Sequence, residues 1–505
     1  MENKMRKKLI LLLGIILTAV IFTAGPAVAD RDEPEFIRLL SGGAELKPLY
    51  REDRVFQQSG EIVQGWWVQS GGQHTGKLTL NQYLLNNGDR YYFIRYIPEA
   101  AVQEPLTLSI PVALKQFQYR YPTYPDLAKT VEVWYHGGVE NNTRISGPFQ
   151  GWPGCSLPSA PVYIDGDGVY CFLSYGNVFE LQDKGVKKEL YAFSRPVEVG
   201  EEEIRLSFPR MKNTVVEQWG IISREPLVQW GDQAVVQELC IADFYRIRKW
   251  GQEGQYEITP NTYYPSSRES YWRNPAHHIG DRFLGARGSR FLEDYALVAL
   301  YTAAKTQNAK GYWISTPRSD WLYRDYKIDS TFYDTRFNTD TALFLLKGYK
   351  KYGDPVFLGA ARSYAGFFLD YAPAHRFATK SGGWLVWDYG NEKNTEASTH
   401  VSLNHLLAEM NFLYEMYIVT RDIRYYDTAQ KLKTAVKDTC KGWRNQISGD
   451  LWYAYLKDGS FGLADYPLVT LNDLKYSQKL FLEVDGAEDG VLGYLISVKE
   501  SYLKK

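Results

Sequence analysis

Cysteine is scarce in this sequence. The 505 residues include four, too few for a disulfide framework, and none stands at the spacing of a zinc site. Cys155 and Cys171 lie close together in a β-rich stretch, where export would permit a bridge. Cys240 and Cys440 fall on helical faces as buried thiols. Net charge is also nearly absent: at −1 the chain has no electrostatic footprint for nucleic acid, which is excluded as a partner. Several motifs are missing outright. No G-x-G-x-x-G follows a strand, and there is no P-loop, no H-E-x-x-H and no G-x-S-x-G elbow. Nucleotide use, zinc proteolysis and α/β-hydrolase chemistry therefore lack support, and neither a metal nor a cofactor is expected. Only one long apolar run exists, Leu9 to Ala24, preceded by Lys4, Arg6, Lys7 and Lys8 and followed by Ala27-Val28-Ala29. That is the order of an export signal, slightly long for a signal and short for a full span. Residues 1–29 are read as a signal peptide or N-terminal membrane anchor. The mature protein is then exported, either secreted or held at the outer face of the cell membrane.

What the chain has in abundance is tyrosine and tryptophan, 39 and 14. Such rings bury an apolar face and keep a polar handle. In an exported protein that profile favours sugar stacking, beside its ordinary use in a core. With 45% hydrophobic residues the chain can bury a large interior, and its length suggests two or three domains.

Periodicity divides the chain. Residues 30–59 are a mixed lead-in. From 60 to 214 the pattern is β: Lys77–Leu80, Tyr91–Tyr96, Leu106–Ile110, Val131–Tyr135 and Val169–Leu173 are strand-like runs, and Asn86-Asn87-Gly88-Asp89 marks a turn. An all-β sandwich-like domain is expected there. Asp165-Gly166-Asp167-Gly168 offers calcium-type ligands, although four residues without a full ligand loop more often make a turn. From 215 onward helical spacing dominates. Leu227–Trp250 reads as helix, Gly251–Gly288 as a long polar-aromatic loop containing His277-His278, and Trp313–Tyr333 as another loop. Thr341–Tyr352 and the segment from Phe357 to Phe368 form a hairpin around Gly353-Asp354-Pro355, which supplies a stop, a cap and a proline at the first helical position. A second hairpin joins Leu403–Tyr417 to Ile423–Val436 through Thr420-Arg421-Asp422, with Asp422 as cap. A polar stripe, Asn404, Asn411 and Glu415, runs along its first helix beside Ala408. Leu451–Leu456 alternates like a strand before an Asp458-Gly459 turn, and helices Thr470–Leu482 and Gly490–Tyr502 close the chain. Successive antiparallel hairpins of this kind predict an incomplete α/α toroid over residues 215–505.

Within that half, a series of short motifs resembles the C-terminal domain of the D-glucuronyl C5-epimerases. Phe332-Tyr333 before a helix looks like that family's Trp-Tyr segment. Val386-Trp387-Asp388-Tyr389-Gly390 looks like its Trp-Tyr-Glu-Glu-Tyr-Pro loop. Leu403-Asn404 followed by Leu413-Tyr414-Glu415 is similar to its Leu-Asn-Gly helix. Trp452-Tyr453-Ala454-Tyr455 falls where the family has a tyrosine before its last hairpin, and Ala464-Asp465-Tyr466 looks like its Trp-Asp-Tyr-His segment. Two departures stand out: Pro467 follows the tyrosine where the family has histidine, and no arginine precedes Asp465.

The resemblance implies a uronic-acid-containing polysaccharide as substrate and C5 epimerisation by proton abstraction and return. That chemistry needs two acid/base groups and a cation for the carboxylate. Tyr466 and Tyr453 are the implied pair, with Tyr455 as the alternative to Tyr453 on the same strand face and Asp388 as a third acid/base group. Arg336 and Arg273 are candidates for the carboxylate clamp. Asn404 and His400, read as one helical turn apart, face the cleft, and Trp387 and Tyr333 flank it. Other readings stay open: a lyase, a glycoside hydrolase using Asp334, Asp340 and Asp388, or a non-catalytic glycan-binding envelope protein. Assembly as a homodimer also stays open.

Overall fold

The computed structural model describes residues 36–41, 43–124, 143–395 and 397–505. The apolar run Leu9–Ala24 and the strand-like Val131–Tyr135 lie outside the described residues. Among the described residues no helix is long and apolar enough to cross a membrane.

The first half is built on a fourteen-stranded antiparallel sheet. Strands Ala44–Val55, Ser59–Ser70, Gln73–Leu85 and Arg90–Pro98 form a meander. Its third turn uses Gly88 at φ 92°, a backbone geometry open to glycine at no steric cost. Arg90–Pro98 then pairs with Thr214–Ser223. The other edge of Thr214–Ser223 is shared by two short strands, with Cys171 opposite Ile222 and Val178 opposite Val216. A four-stranded sheet containing Val102–Ile110 and Ile204–Arg210 packs alongside. From it Arg210 reaches the Tyr96 hydroxyl (3.2 Å) and Ser70 Oγ (3.0 Å) of the large sheet.

The sheet extends beyond the expected boundaries at both ends. The lead-in contains the strand Ala44–Val55, paired along its length with Ser59–Ser70. Beyond 214 the sheet continues through Arg248–Gly251, Gly254–Ile258 and Ser270–Arg273. The helix expected over Leu227–Trp250 is therefore confined to α1 (Gln233–Ala242), capped by Asp232 and ended by Asp243 at φ 38°. Phe244 and Trp250, which prolonged the apolar spacing, instead pack on Tyr295 of the following helical region. Cys155 and Cys171 are free thiols, and Asp165 is spent on Arg120 and the Trp230 indole.

Among the described residues nine further helices follow: α2 (His278–Gly285), α3 (Arg290–Thr306), α4 (Asp320–Tyr326), α5 (Thr335–Tyr352), α6 (Pro355–Ala374), α7 (Leu403–Thr420), α8 (Ile423–Trp443), α9 (Val469–Val484) and α10 (Gly490–Leu503). Two of these, α2 and α4, occupy stretches expected to be loop. Four hairpins result, α2–α3, α5–α6, α7–α8 and α9–α10. The first helices of the pairs touch in the order α2, α5, α7, α9, and the second helices in the order α3, α6, α8, α10. This is the two-layered arc of an incomplete α/α toroid. All four inner helices run in one direction, so their N-termini share one end. The local signals act as the sequence suggests: Gly353 takes φ 71°, and Asp354 and Asp422 accept bonds from Val356 N and Arg424 N.

The sheet and the arc share a core. Trp219 of the central strand lies 6.4 Å from Phe291 and 6.2 Å from Tyr295 of α3, and Ile37–Lys505 form one compact unit. Asp354 ties the two regions together. Besides capping α6, it accepts from the Tyr301 hydroxyl (2.7 Å) and Gln57 N (3.2 Å) while 1% exposed. Asp354→Ala is expected to cost about 2–4 kcal/mol, from one lost cap, one buried hydroxyl left unpaired and one part-buried backbone bond lost. Denaturant unfolding measures it, and a loss under about 0.5 kcal/mol would contradict the assigned role.

Candidate functional site

The inner helices α5 and α7 are each entered directly from a short strand, and these strands bring polar side chains to the shared end. Phe332–Asp334 pairs with Tyr389–Asn391 before α5, and Val401–Ser402 pairs with Trp452–Tyr455 before α7. Asp334 caps α5 through Phe337 N (2.9 Å). Two residues on, Arg336 donates to Asp340 (3.0 Å), to the Asn404 carbonyl (3.0 Å) and to Asp473 (2.5 Å). One guanidinium thus joins α5, α7 and α9. His278 of α2 lies 3.4 Å from Asp340, and a cavity of about 220 Å³ lies between His278, Arg336, Asp340 and Lys347. Further along the inner face, Lys347 pairs with Asp281 (2.8 Å), and Glu415 receives both Lys350 and the Tyr476 hydroxyl. Of the polar stripe on α7, Asn411 and Glu415 therefore have side-chain partners. Asn411 bonds the Asp473 carbonyl at 3.1 Å and Ser477 at 2.7 Å.

Two tyrosines stand over this floor. Tyr466 is 52% exposed, and its ring meets that of Tyr453 edge to face at 5.6 Å. Burial raises both phenols above the ordinary tyrosine range. The carboxylate charges of Asp388 for Tyr453 and of Asp334 for Tyr466 add to it. The carboxyls of the site are pushed apart. Burial, with Asp388 and Asp340 nearby, raises Asp334 to about 7. Burial also raises Asp473 to about 6, in spite of Arg336. For Asp340 burial acts upward too, but Arg336 and His278 outweigh it and leave the group at about 2.

Several expected site residues have other occupations. Asp388 is 0% exposed. It accepts from Ser402 N (2.8 Å) and the Ser402 hydroxyl, with His400 Nε2 at 3.3 Å and His405 Nδ1 at 3.7 Å. It organises the start of α7 from behind and cannot touch a substrate. His400 precedes the helix, so it is not one turn from Asn404. Its Nδ1 lies 2.9 Å from the Tyr326 hydroxyl, and it is buried. Tyr455 shares a strand with Tyr453, but its partly buried ring packs on Phe377 (5.7 Å) and Phe461 (5.3 Å) at the edge of the core. Tyr333 is also core, with its hydroxyl 3.0 Å from that of Tyr364. Trp387 packs on His375 and Phe377, and Arg273 donates to the Ile314 carbonyl (3.1 Å). Arg336 reaches the groove, but two carboxylates already share its charge. Asn404 is 4% exposed, and among the described residues its Oδ1 has no hydrogen-bond partner.

Other residues of the site gave little sign of themselves in the sequence. Asp473 was signalled only by the polar stripe of α7, which requires a polar facing helix. Glu409 sits in the apolar run of α7, fully buried, and burial raises its carboxyl well above the usual range. Asp465, carried by the best-matched motif, is an anchor: it accepts from Thr470 Oγ1 (2.7 Å) and from Lys499 (2.8 Å).

The Asp334 carboxyl has a measurable consequence. Its folded-state value lies above its unfolded one, so it contributes stability in full below pH ~4 and loses it as pH rises through about 7. The difference approaches ~4 kcal/mol. Asparagine is an equally good helix cap. Asp334→Asn is therefore expected to flatten stability between pH 4 and 8 and to be the more stable form at pH 8. Urea unfolding at pH 5 and 8 tests this; an unchanged slope would place the Asp334 carboxyl in water.

No family model matches the chain, and no curated protein matches it. Among solved structures, it is similar to a D-mannose isomerase, with 17% identity over 44% of this chain and 57% of that one, at a TM-score of 0.33. A glycoside hydrolase family 76 mannosidase from Bacteroides thetaiotaomicron gives 16% identity over 46% and 59%, at 0.34. A cellobiose 2-epimerase from Spirochaeta thermophila gives 12% over 42% and 52%, at 0.32. The chain spans little more than half the length of these proteins, and no property of theirs is carried over to it.

Proposed function

We propose that this protein is exported and acts on a uronic-acid-containing polysaccharide, exchanging the proton at C5 of the uronate as D-glucuronyl C5-epimerases do. The observation that carries the reading is the ring contact of Tyr453 with Tyr466, whose phenol feels the charges of both Asp334 and Arg336 from the start of α5. Epimerisation needs two proton carriers, one on each face of the sugar. The touching rings of Tyr453 and Tyr466 leave no space for a sugar between them, so they act as one wall. Their raised phenols stay protonated and suit the donor's part. Asp334, with a carboxyl near neutrality, is the group best matched to removing the C5 proton. Arg336 and His278 supply positive charge for the enolate.

One observation favours a second reading. Asp334 near 7 and Asp340 near 2 are carboxyls pushed apart in one groove, which is the requirement for an acid/base pair in glycoside hydrolysis. Incubation with heparosan, alginate and pectin, beside their carboxyl-reduced forms, separates the two. Inverted C5 centres in intact uronate chains are expected. New reducing ends would give the hydrolase, and unsaturated ends a lyase. Equal action on the carboxyl-reduced polymers would overturn the uronate reading.

A further inference from the structure

A second cavity, of about 920 Å³, lies in the sheet-rich half, lined by residues between 121 and 271. It is apart from the groove, whose residues begin at His277. Its volume falls in the range of about 300–1,000 Å³ usual for small-ligand sites. Among the described residues its wall carries five tyrosines, Tyr121, Tyr124, Tyr191, Tyr245 and Tyr271, with Arg268 at the rim.

Four of these rings are held in place before any ligand arrives. Tyr191 donates to the Ser159 carbonyl (3.0 Å) and shares a bond with the Tyr245 hydroxyl. Tyr271 donates to the Arg246 carbonyl (2.6 Å), and Tyr124 donates to Asp243. The rings of Tyr124 and Tyr245 lie 5.7 Å apart, and those of Tyr191 and Tyr245 lie 6.0 Å apart. Behind them the buried pair Lys249–Glu189 (3.0 Å) fixes the floor. Four of the five hydroxyls are thus tied back into the protein while the rings line an open space. Arg268 is exposed and has no ion pair among the described residues. Fixed aromatic surfaces suit the C–H faces of sugar rings, and a free guanidinium at the rim suits a carboxylate.

We infer that this cavity is a second glycan-binding site, which holds an acidic oligosaccharide segment at a distance from the reacting residue. The inference rests on the proposed substrate class. Two sites on one polymer raise its apparent affinity through effective concentration, so the second site acts on long chains and not on the chemical step.

The test is titration calorimetry of the full chain with size-fractionated heparosan, alginate and pectin oligosaccharides. Tyr191→Ala/Tyr245→Ala and Arg268→Glu are compared with wild type and with Tyr466→Phe. At least a tenfold loss of affinity is expected in the double variant, and a similar loss in Arg268→Glu, which alters an exposed position and keeps the test valid if the double variant fails to fold. Tyr466→Phe should keep wild-type affinity at this site. Wild-type affinity in Arg268→Glu and in the folded double variant would overturn the inference, as would absence of binding to all three. If C5 exchange persists in that last case, the second site alone is refuted and the proposed function stands.

Discussion

Tyr466→Phe is expected to slow deuterium uptake at C5 of a uronate polymer at least ~10²-fold, the lower range for loss of a general acid. The change removes one oxygen from a ring that is half exposed and keeps its edge-to-face contact with Tyr453. Stability should therefore stay within ~0.5 kcal/mol of wild type, so any lost activity reflects the hydroxyl and not the fold. Tyr453→Phe is the comparison. Its phenol is more deeply buried and more strongly raised, and its loss should matter less if Tyr466 faces the substrate directly. Exchange within a factor of two or three in Tyr466→Phe would remove this residue from the chemistry.

The second large effect is on stability, at Lys499. Its ammonium is 0% exposed and lies 2.9 Å from Asp450 and 2.8 Å from Asp465, whose side chain is also 0% exposed. Breaking a buried ion pair from one side leaves uncompensated charge and typically costs about 3–5 kcal/mol. Lys499→Met is expected to fall in that range in denaturant unfolding. Because Asp465 adjoins Tyr466 and bonds Thr470, the loss should also loosen the segment that carries Tyr466 and lower turnover in protein that remains folded. Stability within ~1 kcal/mol of wild type would show that the two carboxyls find other partners.

The helical hairpins were legible because their signals are local. Gly353-Asp354-Pro355 and Thr420-Arg421-Asp422 each carry a stop and a cap within three residues, and the structure uses both. The strands Arg248–Gly251, Gly254–Ile258 and Ser270–Arg273 were not legible, since they are four or five residues long and the contact that joins them to the large sheet is remote: Lys187 lies opposite Tyr271. Helix α2 was hidden for a similar reason. His277 gives it no side-chain cap, and what holds it is packing of Ile279 and Phe283 in the shared core. In the site, chemical type was readable and burial was not. Asp388 has the type of an acid/base group, but the Ser402 N–H and hydroxyl bond its carboxylate, and His400 and His405 close around it. Tyr453 and Tyr455 have the alternation of one strand face, but the strand is short and its end turns Tyr455 toward Phe377 and Phe461. Arg336 has the type of a carboxylate clamp, and only the fold brings Asp340 and Asp473 to it.

The most direct measurement is NMR at C5 of heparosan, alginate and pectin incubated with the wild-type protein in deuterated water. Proton exchange through the groove at the ends of α2, α5, α7 and α9 predicts deuterium at C5 in chains of unchanged length. No exchange in any of the three, with folded protein that binds them, would contradict it and leave the groove a place where glycans are held and not altered.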